Sequence, residues 1–250
     1  MSENELAGAT ALVTGASRGF GQGIATALSG AGAHVVGVAR DPGPLEELRA
    51  RLGRSFTAVA ADAADPVVAG ALLDKHRPRV LVLNAGATPL PRPIHHHTWQ
   101  TFSRNWEVDM AHAFHWVRES LLAPLEPSST VVTLSSGAAL FGSPLSGGYA
   151  GAKAGIRFLT GYAAQESARE QLGIRFVSLL PQLTPATALG AVFAAVYAAP
   201  QGSAAADSAG APGPVLTPDQ VGKVVTDLVT GDDDGQPAYL VTPAGLRPLT

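Results

Sequence analysis

Tyr149 and Lys153 stand four residues apart in Tyr149-Ala-Gly-Ala-Lys153, with Ser135-Ser136 just upstream. On a helix that spacing puts both side chains on one face, about 5–6 Å apart at Cβ. An ammonium held near a phenol favours the phenolate, because an opposite charge stabilises the ionised form. A phenol that gives up its proton nearer neutral pH is suited to general acid–base chemistry. An ordinary amphipathic helix has the same spacing, so the elements around the pair must decide.

Those elements alternate. Ala9–Val13 is a short apolar run ending at Thr14-Gly15-Ala16-Ser17-Arg18-Gly19-Phe20-Gly21, and Ile24–Leu28 then reads as helix. Strand, glycine turn and helix form the context of a phosphate-binding loop, because a helix N-terminus offers free N–H groups and glycines let a pyrophosphate approach the backbone. The spacing is Gly-x-x-x-Gly-x-Gly rather than the common Gly-x-Gly-x-x-Gly. His34–Ala39 is a second strand running into Arg40-Asp41-Pro42. At this strand end an acid selects NAD and an arginine accommodates the NADP phosphate. Arg40 comes first and Arg18 sits in the glycine loop, while Asp41 suits the start of the next helix, Pro44–Leu52. The balance favours NADP(H).

Phe56–Ala60 is a third strand followed by Asp62 and Ala63, and Val80–Leu83 a fourth that ends in Asn84-Ala85-Gly86. Its fully apolar character fits a parallel sheet covered on both faces. Helices are expected over Val67–His76, Thr98–Leu122, Tyr149–Leu172, Ala186–Ala199 and Val221–Val229, the last opened by Thr217-Pro218. Periodicity puts Asp109 on the same helix face as Trp106 and Ala113, and a buried acid needs a partner. Thr88–Pro93 is proline-rich loop, His95-His96-His97 fits a loop or helix entry better than a metal site, and Gln201–Pro214 is expected to be mobile. Strands at Thr130–Leu134, Arg175–Leu180 and Ala238–Val241 complete an α/β, Rossmann-like, doubly wound parallel sheet of about seven strands with helices on both faces. A single domain spans residues 1–250, with residues 182–216 as a variable substrate lid.

Composition bounds the function. The 250 residues are 46% hydrophobic and 15% charged, which allows a sizeable core. The formal net charge of −3 gives no electrostatic case for nucleic acid or an anionic membrane surface. Without cysteine there are no disulfides and no thiol catalysis. The acidic, polar start lacks the features of a secretory signal, and no apolar run approaches a membrane span, so a cytoplasmic protein is expected.

In order and spacing, four signals together resemble the short-chain dehydrogenase/reductases: the glycine loop, Asn84-Ala85-Gly86, a Ser thirteen residues before a Tyr, and Tyr149-x-x-x-Lys153. The resemblance implies that Tyr149 exchanges a proton with a carbonyl or alcohol oxygen, that Ser136 hydrogen-bonds the same oxygen, and that Lys153 holds the nicotinamide ribose. It places Thr14, Gly15, Ser17, Arg18, Gly19, Phe20, Gly21, Arg40, Asp62, Ala63, Asn84, Ala85, Gly86, Pro181, Gln182 and Thr184 at cofactor positions. It also implies a homodimer or homotetramer built on the Thr98–Leu122 and Tyr149–Leu172 helices. Two positions depart from the family pattern. Asp109 replaces the usual Asn and, if ionised, opposes Lys153; it must be neutral, paired with a donor, or part of a differently tuned site. Gln182 replaces a usual Gly. The expected function is NADP(H)-dependent interconversion of a carbonyl and an alcohol. The alternatives are a non-redox step such as dehydration or cyclisation, and a non-catalytic NADP(H) binder. Leu140, Phe141, Leu145, Leu183, Phe193 and Tyr197 point to an apolar or aromatic small-molecule substrate.

Overall fold

The computed structural model of the chain describes residues 5–198, 214–232 and 234–249. Its strands are β1 (Thr10–Thr14), β2 (His34–Ala39), β3 (Phe56–Ala60), β4 (Val80–Leu83), β5 (Thr130–Leu134), β6 (Arg175–Pro181), β7 (Ala238–Thr242) and β8 (Gly245–Pro248). All lie in one sheet of order β3-β2-β1-β4-β5-β6-β7-β8. Pairing is parallel from β3 to β7, while β8 folds back antiparallel on β7. The sheet therefore has eight strands, not about seven. In β8, Gly-Leu-Arg-Pro, the apolar alternation that marks a strand is missing, and backbone pairing at the sheet edge makes the element instead.

The helices are α1 (Gly19–Gly30), α2 (Pro42–Leu52), α3 (Pro66–His76), α4 (Trp99–Asn105), α5 (Ala111–Leu122), α6 (Ala138–Phe141), α7 (Gly148–Arg169), α8 (Ala188–Ala198) and α9 (Pro218–Thr230). Side chains alternate along each strand, so the sheet feeds two cores. Ala11 and Val13 join Ile24 and Leu28 of α1, Leu45 of α2 and Val221 of α9 on one face. Leu12 and Leu81 join Leu73 of α3, Trp116 of α5 and Ala163 of α7 on the other. Every residue of β4 and β5 is buried, which fits the unbroken apolar run of β4, while β5 buries Thr130 and Thr133 among its apolar residues. Each fully buried Leu, Ile or Val contributes roughly 1.5–3 kcal/mol to such a core.

Helix starts follow side-chain chemistry. Thr217 and Gln220 form a reciprocal capping box ahead of α9, with Pro218 in its first turn. The helix expected across Thr98–Leu122 is divided. Trp106–Met110 forms a turn of π-helix between α4 and α5. That wider turn breaks the 3.6-residue register, so Trp106 is 41% exposed while Asp109 and Ala113 are each 1% exposed. Trp106 and Asp109 thus do not share a face. Ile94–His96 forms one short 3-10 turn ahead of α4, and Thr88–Pro93 is irregular. The expected mobile stretch lies outside the described residues except for Pro214. Among the described residues no helix is long and apolar enough to cross a membrane.

Candidate active site

The carboxyl ends of β1 and β4 are clamped together, and the clamp shapes the glycine loop. Thr14 Oγ1 accepts from the backbone N–H groups of Asn84 and Ala85 at 3.0 and 3.2 Å. Asn84 Nδ2 returns two bonds, to Thr14 O at 3.1 Å and Gly15 O at 3.2 Å. Gly15 has φ +66°, and a Cβ there would stand 2.8 Å from Asn84 Nδ2. A Cβ at Gly21 would meet Gly15 O at 2.1 Å, so α1 reaches the sheet only because that residue is glycine. Gly19, with φ +56°, is different: a Cβ there would meet only Thr187, at an ordinary contact distance of 3.8 Å, and the residue lines a cavity at the first turn of α1. Thr14, Ser17 and Gly21 do not line that space; Thr14 and Gly21 shape the loop from behind.

At the end of β2 two adjacent charges take separate roles. Asp41 caps α2, its Oδ1 accepting from Gly43 N at 3.1 Å. Arg40 is exposed and lines the cavity with Arg18, and neither has a hydrogen-bond or ion-pair partner among the described residues. Asp62 Oδ1 accepts from Ala64 N at 3.0 Å, which shapes the turn after β3, and Trp116 Nε1 donates to Ala63 O at 2.8 Å.

Tyr149 and Lys153 project from the first turns of α7, both buried at 8% and 6% exposure. Lys153 Nζ lies 5.8 Å from the centroid of the Tyr149 ring. The residue between them matters as well. A Cβ on Gly151 would stand 3.2 Å from the Trp106 ring, so a small spacer lets α7 lie against the π-turn. The two serines divide their work. Ser135 Oγ donates to Lys153 O at 2.7 Å and anchors α7 to the end of β5, whereas Ser136 Oγ accepts only from Ala138 N, at 3.2 Å, and keeps its own proton to donate.

Asp109 is paired with a donor. Its Oδ2 is 3.3 Å from Lys153 Nζ, and its Oδ1 accepts from Ala87 N at 2.7 Å and Asn105 Nδ2 at 3.4 Å. Lys153 also donates to Leu134 O at 3.0 Å. Three further groups therefore hold a buried ion pair in place, which offsets the desolvation of two charges. The π-turn is what swings Asp109 inward to reach Lys153.

Sequence reasoning missed His112, one turn further along α5. It is 2% exposed, lines the same cavity and stacks edge-on with Trp116, and its Nε2 has no partner. Burial first, then the charge of Lys153, push its pKa down to about 3, so the imidazole is neutral. A polar residue three positions after a buried acid was the available signal.

One cavity of about 1040 Å³ collects these groups. It runs from Arg18, Arg40 and Asp62 over Asn84-Ala85-Gly86 to Ser136, Tyr149, Lys153 and Asp109, and on past Pro181, Gln182 and Thr184. Thr184 is already engaged, its Oγ1 donating to Leu216 O at 2.6 Å. Of the expected apolar walls, Phe141, Leu183 and Phe193 line the cavity, and Phe193 lies 6.1 Å from the Tyr149 ring. Leu140 instead packs on Leu180 and Leu240, and Leu145 lies off the cavity. The Tyr197 side chain is outside the described residues. Arg247 of β8 also lines the cavity and was not anticipated.

Known proteins are similar to this chain in sequence and fold. A 2-dehydro-3-deoxy-D-gluconate 5-dehydrogenase from Bacillus subtilis is 38% identical over 109 residues, which cover 41% of this chain and 41% of that protein. The 3-ketoacyl-(acyl-carrier-protein) reductase of Brucella melitensis, solved with NADH, superposes with a TM-score of 0.73 at 26% identity, covering 90% of this chain and 91% of its own. A metagenomic short-chain oxidoreductase solved with NADP gives 0.73 at 25% identity, covering 95% and 98%. The model of the short chain dehydrogenase family matches residues 9–195, most of the sheet and all of the residues around Tyr149 and Lys153. With glycine loop, strand-end asparagine, serine, tyrosine and lysine gathered on one cavity, the chain belongs to the short-chain dehydrogenase/reductase family.

Proposed function

We propose that this protein is an NADP(H)-dependent oxidoreductase that interconverts a carbonyl and an alcohol, with Tyr149 as general acid and base. The observation that carries this reading is that Ser136, Tyr149 and Lys153 face the same cavity as the glycine loop and the two unpaired arginines Arg18 and Arg40. The residues present fit NADP(H). Gly19 leaves room at the start of α1 for a pyrophosphate, and Arg18 and Arg40 are free to meet a ribose phosphate. Asp41, the residue that could have selected NAD, is committed to capping α2. Lys153, with one N–H on Leu134 O and one directed at Asp109, keeps its third for a ribose hydroxyl.

The chemistry that the cofactor supplies when bound is hydride for the carbonyl carbon. Tyr149 gives its phenolic proton to the carbonyl oxygen, so that its own O–H bond breaks as the alcohol O–H forms. Ser136 donates to the same oxygen and stabilises the charge that grows there. Lys153 and Asp109, buried together, keep the proton-bearing side chains in register. Phe193 lies over the tyrosine and helps exclude water. Of the variable segment 182–216, residues 199–213 lie outside the described residues. Leu183, Val192 and Phe193 supply its wall over the substrate within a single catalytic domain, and copies of the chain assemble into a homodimer or homotetramer in the cytoplasm.

The test is NADPH consumption with a panel of ketones and aldehydes. Wild-type protein is expected to oxidise NADPH with at least one of them, and Tyr149→Phe to lose most of that rate. NADPH that binds without being consumed, alongside a product profile that still changes in Tyr149→Phe, would favour the non-redox alternative.

A further inference from the structure

Beyond Ser136, at the edge of the sheet, the cavity wall is uncharged with one exception, although Ser143, Ser146 and Gln182 add polar groups to its apolar side chains. Phe141, 89% exposed, lines the cavity together with Leu183, Val192 and Leu240. The exception is Arg247 of β8. The other charged residues on the cavity lie elsewhere. Arg18, Arg40 and Asp62 stand at the ends of β1, β2 and β3, while Asp109 and Lys153 surround Tyr149.

The direction of Arg247 follows from strand register. Leu240 of β7 is paired directly with Arg247, and directly opposed residues project from the same face of a sheet. Leu240 packs against Ala139 and Leu140 of α6, and its Cδ1 lies 3.8 Å from where a Cβ on Gly137 would be. Arg247 therefore leaves the sheet on the side that carries Ser136 and α6. It has no hydrogen-bond or ion-pair partner among the described residues. Strand β5, which ends just before Ser136, is three strand spacings from β8, roughly 14 Å.

We propose that Arg247 recognises an anionic group at the far end of the substrate, so that the site takes amphiphilic keto acids. The carbonyl sits at Ser136 and Tyr149, an apolar body crosses Leu240 and Phe141, and a carboxylate or phosphate meets the guanidinium. This narrows the apolar substrate expected from the sequence, and it rests on the carbonyl-reductase reading above. A guanidinium suits either anion, since both offer two oxygens to its fork of N–H donors.

The experiment compares benzoylpropionate, its methyl ester and the matching phosphonate in NADPH consumption by wild type, Arg247→Ala and Arg247→Lys. In parallel, thermal shifts of the NADPH-saturated protein by each compound read binding without turnover. The expected result is a preference for an acid over the ester that falls about tenfold to a hundredfold in Arg247→Ala and survives partly in Arg247→Lys. The better of carboxylate and phosphonate identifies the anion. Equal handling of acid and ester by wild type, or a fall for both alike in Arg247→Ala, overturns the proposal. If none of the three consumes NADPH, the reductase reading stands or falls with the panel of ketones and aldehydes above. The anion-dependent thermal shift, present in wild type and lost in Arg247→Ala or absent from both, still decides the role of Arg247.

Discussion

The carboxylate of Asp109 lies 3.3 Å from the ammonium of Lys153, so the cation facing the Tyr149 ring is one half of a buried ion pair. Its attraction for a developing phenolate is partly spent on Asp109. Asp109→Asn removes the opposing charge and keeps a carbonyl to accept from Ala87 N. Tyr149 then faces Lys153 unopposed, and the dependence of kcat on pH is expected to differ from that of wild type. The variant should also unfold at lower temperature, because taking one partner from a buried pair leaves a charge uncompensated. A pH–rate series with a thermal melt reads both. Profiles that superimpose would show that Asp109 is electrostatically silent.

Arg40 and Asp41 are neighbours with separable roles. Arg40→Ala is expected to weaken NADPH at least about tenfold while leaving NADH nearly unchanged, since only the phosphate loses a charge-assisted partner. Asp41→Ala removes the cap on Gly43 N and should cost about 1 kcal/mol of stability, with the preference between the two cofactors unaltered. Titrating both cofactors into both variants, with urea unfolding, checks the division. Equal loss of NADH and NADPH in Arg40→Ala would sink the phosphate assignment.

His112 ties stability to pH. Its pKa falls from 6.5 to about 3 on folding, chiefly through burial and then through Lys153. Below pH about 6.5 the unfolded chain binds a proton that the folded chain refuses, so the native state loses stability as pH falls. The slope approaches 1.4 kcal/mol per pH unit and levels off near the folded value. The contribution is complete above the unfolded pKa. Replacing His112 by Gln is expected to flatten this dependence in urea unfolding between neutral pH and pH about 4. An unchanged slope would mean that other groups carry the acid sensitivity.

Much of the fold was legible because the core strands are buried on both faces and announce themselves as apolar runs bounded by turns. Ser136, Tyr149 and Lys153 were legible as a candidate set by order and spacing, and they line one cavity. What the sequence hid came from tertiary context. No residue pattern marks the π-turn at Trp106–Met110, and it turns Trp106 outward and Asp109 in. Whether Asp109 opposes Lys153 or pairs with it depends on a few ångströms set by that turn. β8 lacks strand periodicity and exists through its pairing with β7. Arg247 could not be placed at the cavity until that hairpin was known. Thr14 was legible as part of the loop, but only the structure shows that its hydroxyl clamps Asn84 and Ala85.

The loop glycines share a motif but not a reason, and substitution should separate them. At Gly21 a Cβ would stand 2.1 Å from the Gly15 carbonyl oxygen, a backbone atom that cannot swing aside. Gly21→Ala must push α1 off the sheet, and a loss of roughly 1–3 kcal/mol or more is expected, with cofactor binding falling as the loop distorts. At Gly19 a Cβ would meet only Thr187, at an ordinary contact distance of 3.8 Å, but φ is +56°. Gly19→Ala therefore costs only the left-handed penalty, about 1–2 kcal/mol, and adds a methyl where the pyrophosphate would approach. Its larger effect should be on NADPH affinity. Urea unfolding with and without saturating NADPH distinguishes the two. Gly21→Ala should be the less stable of the pair without cofactor, and Gly19→Ala should gain less stability than wild type when NADPH is added. If both variants lose stability alike and keep wild-type affinity, the middle glycine has no special place at the cofactor.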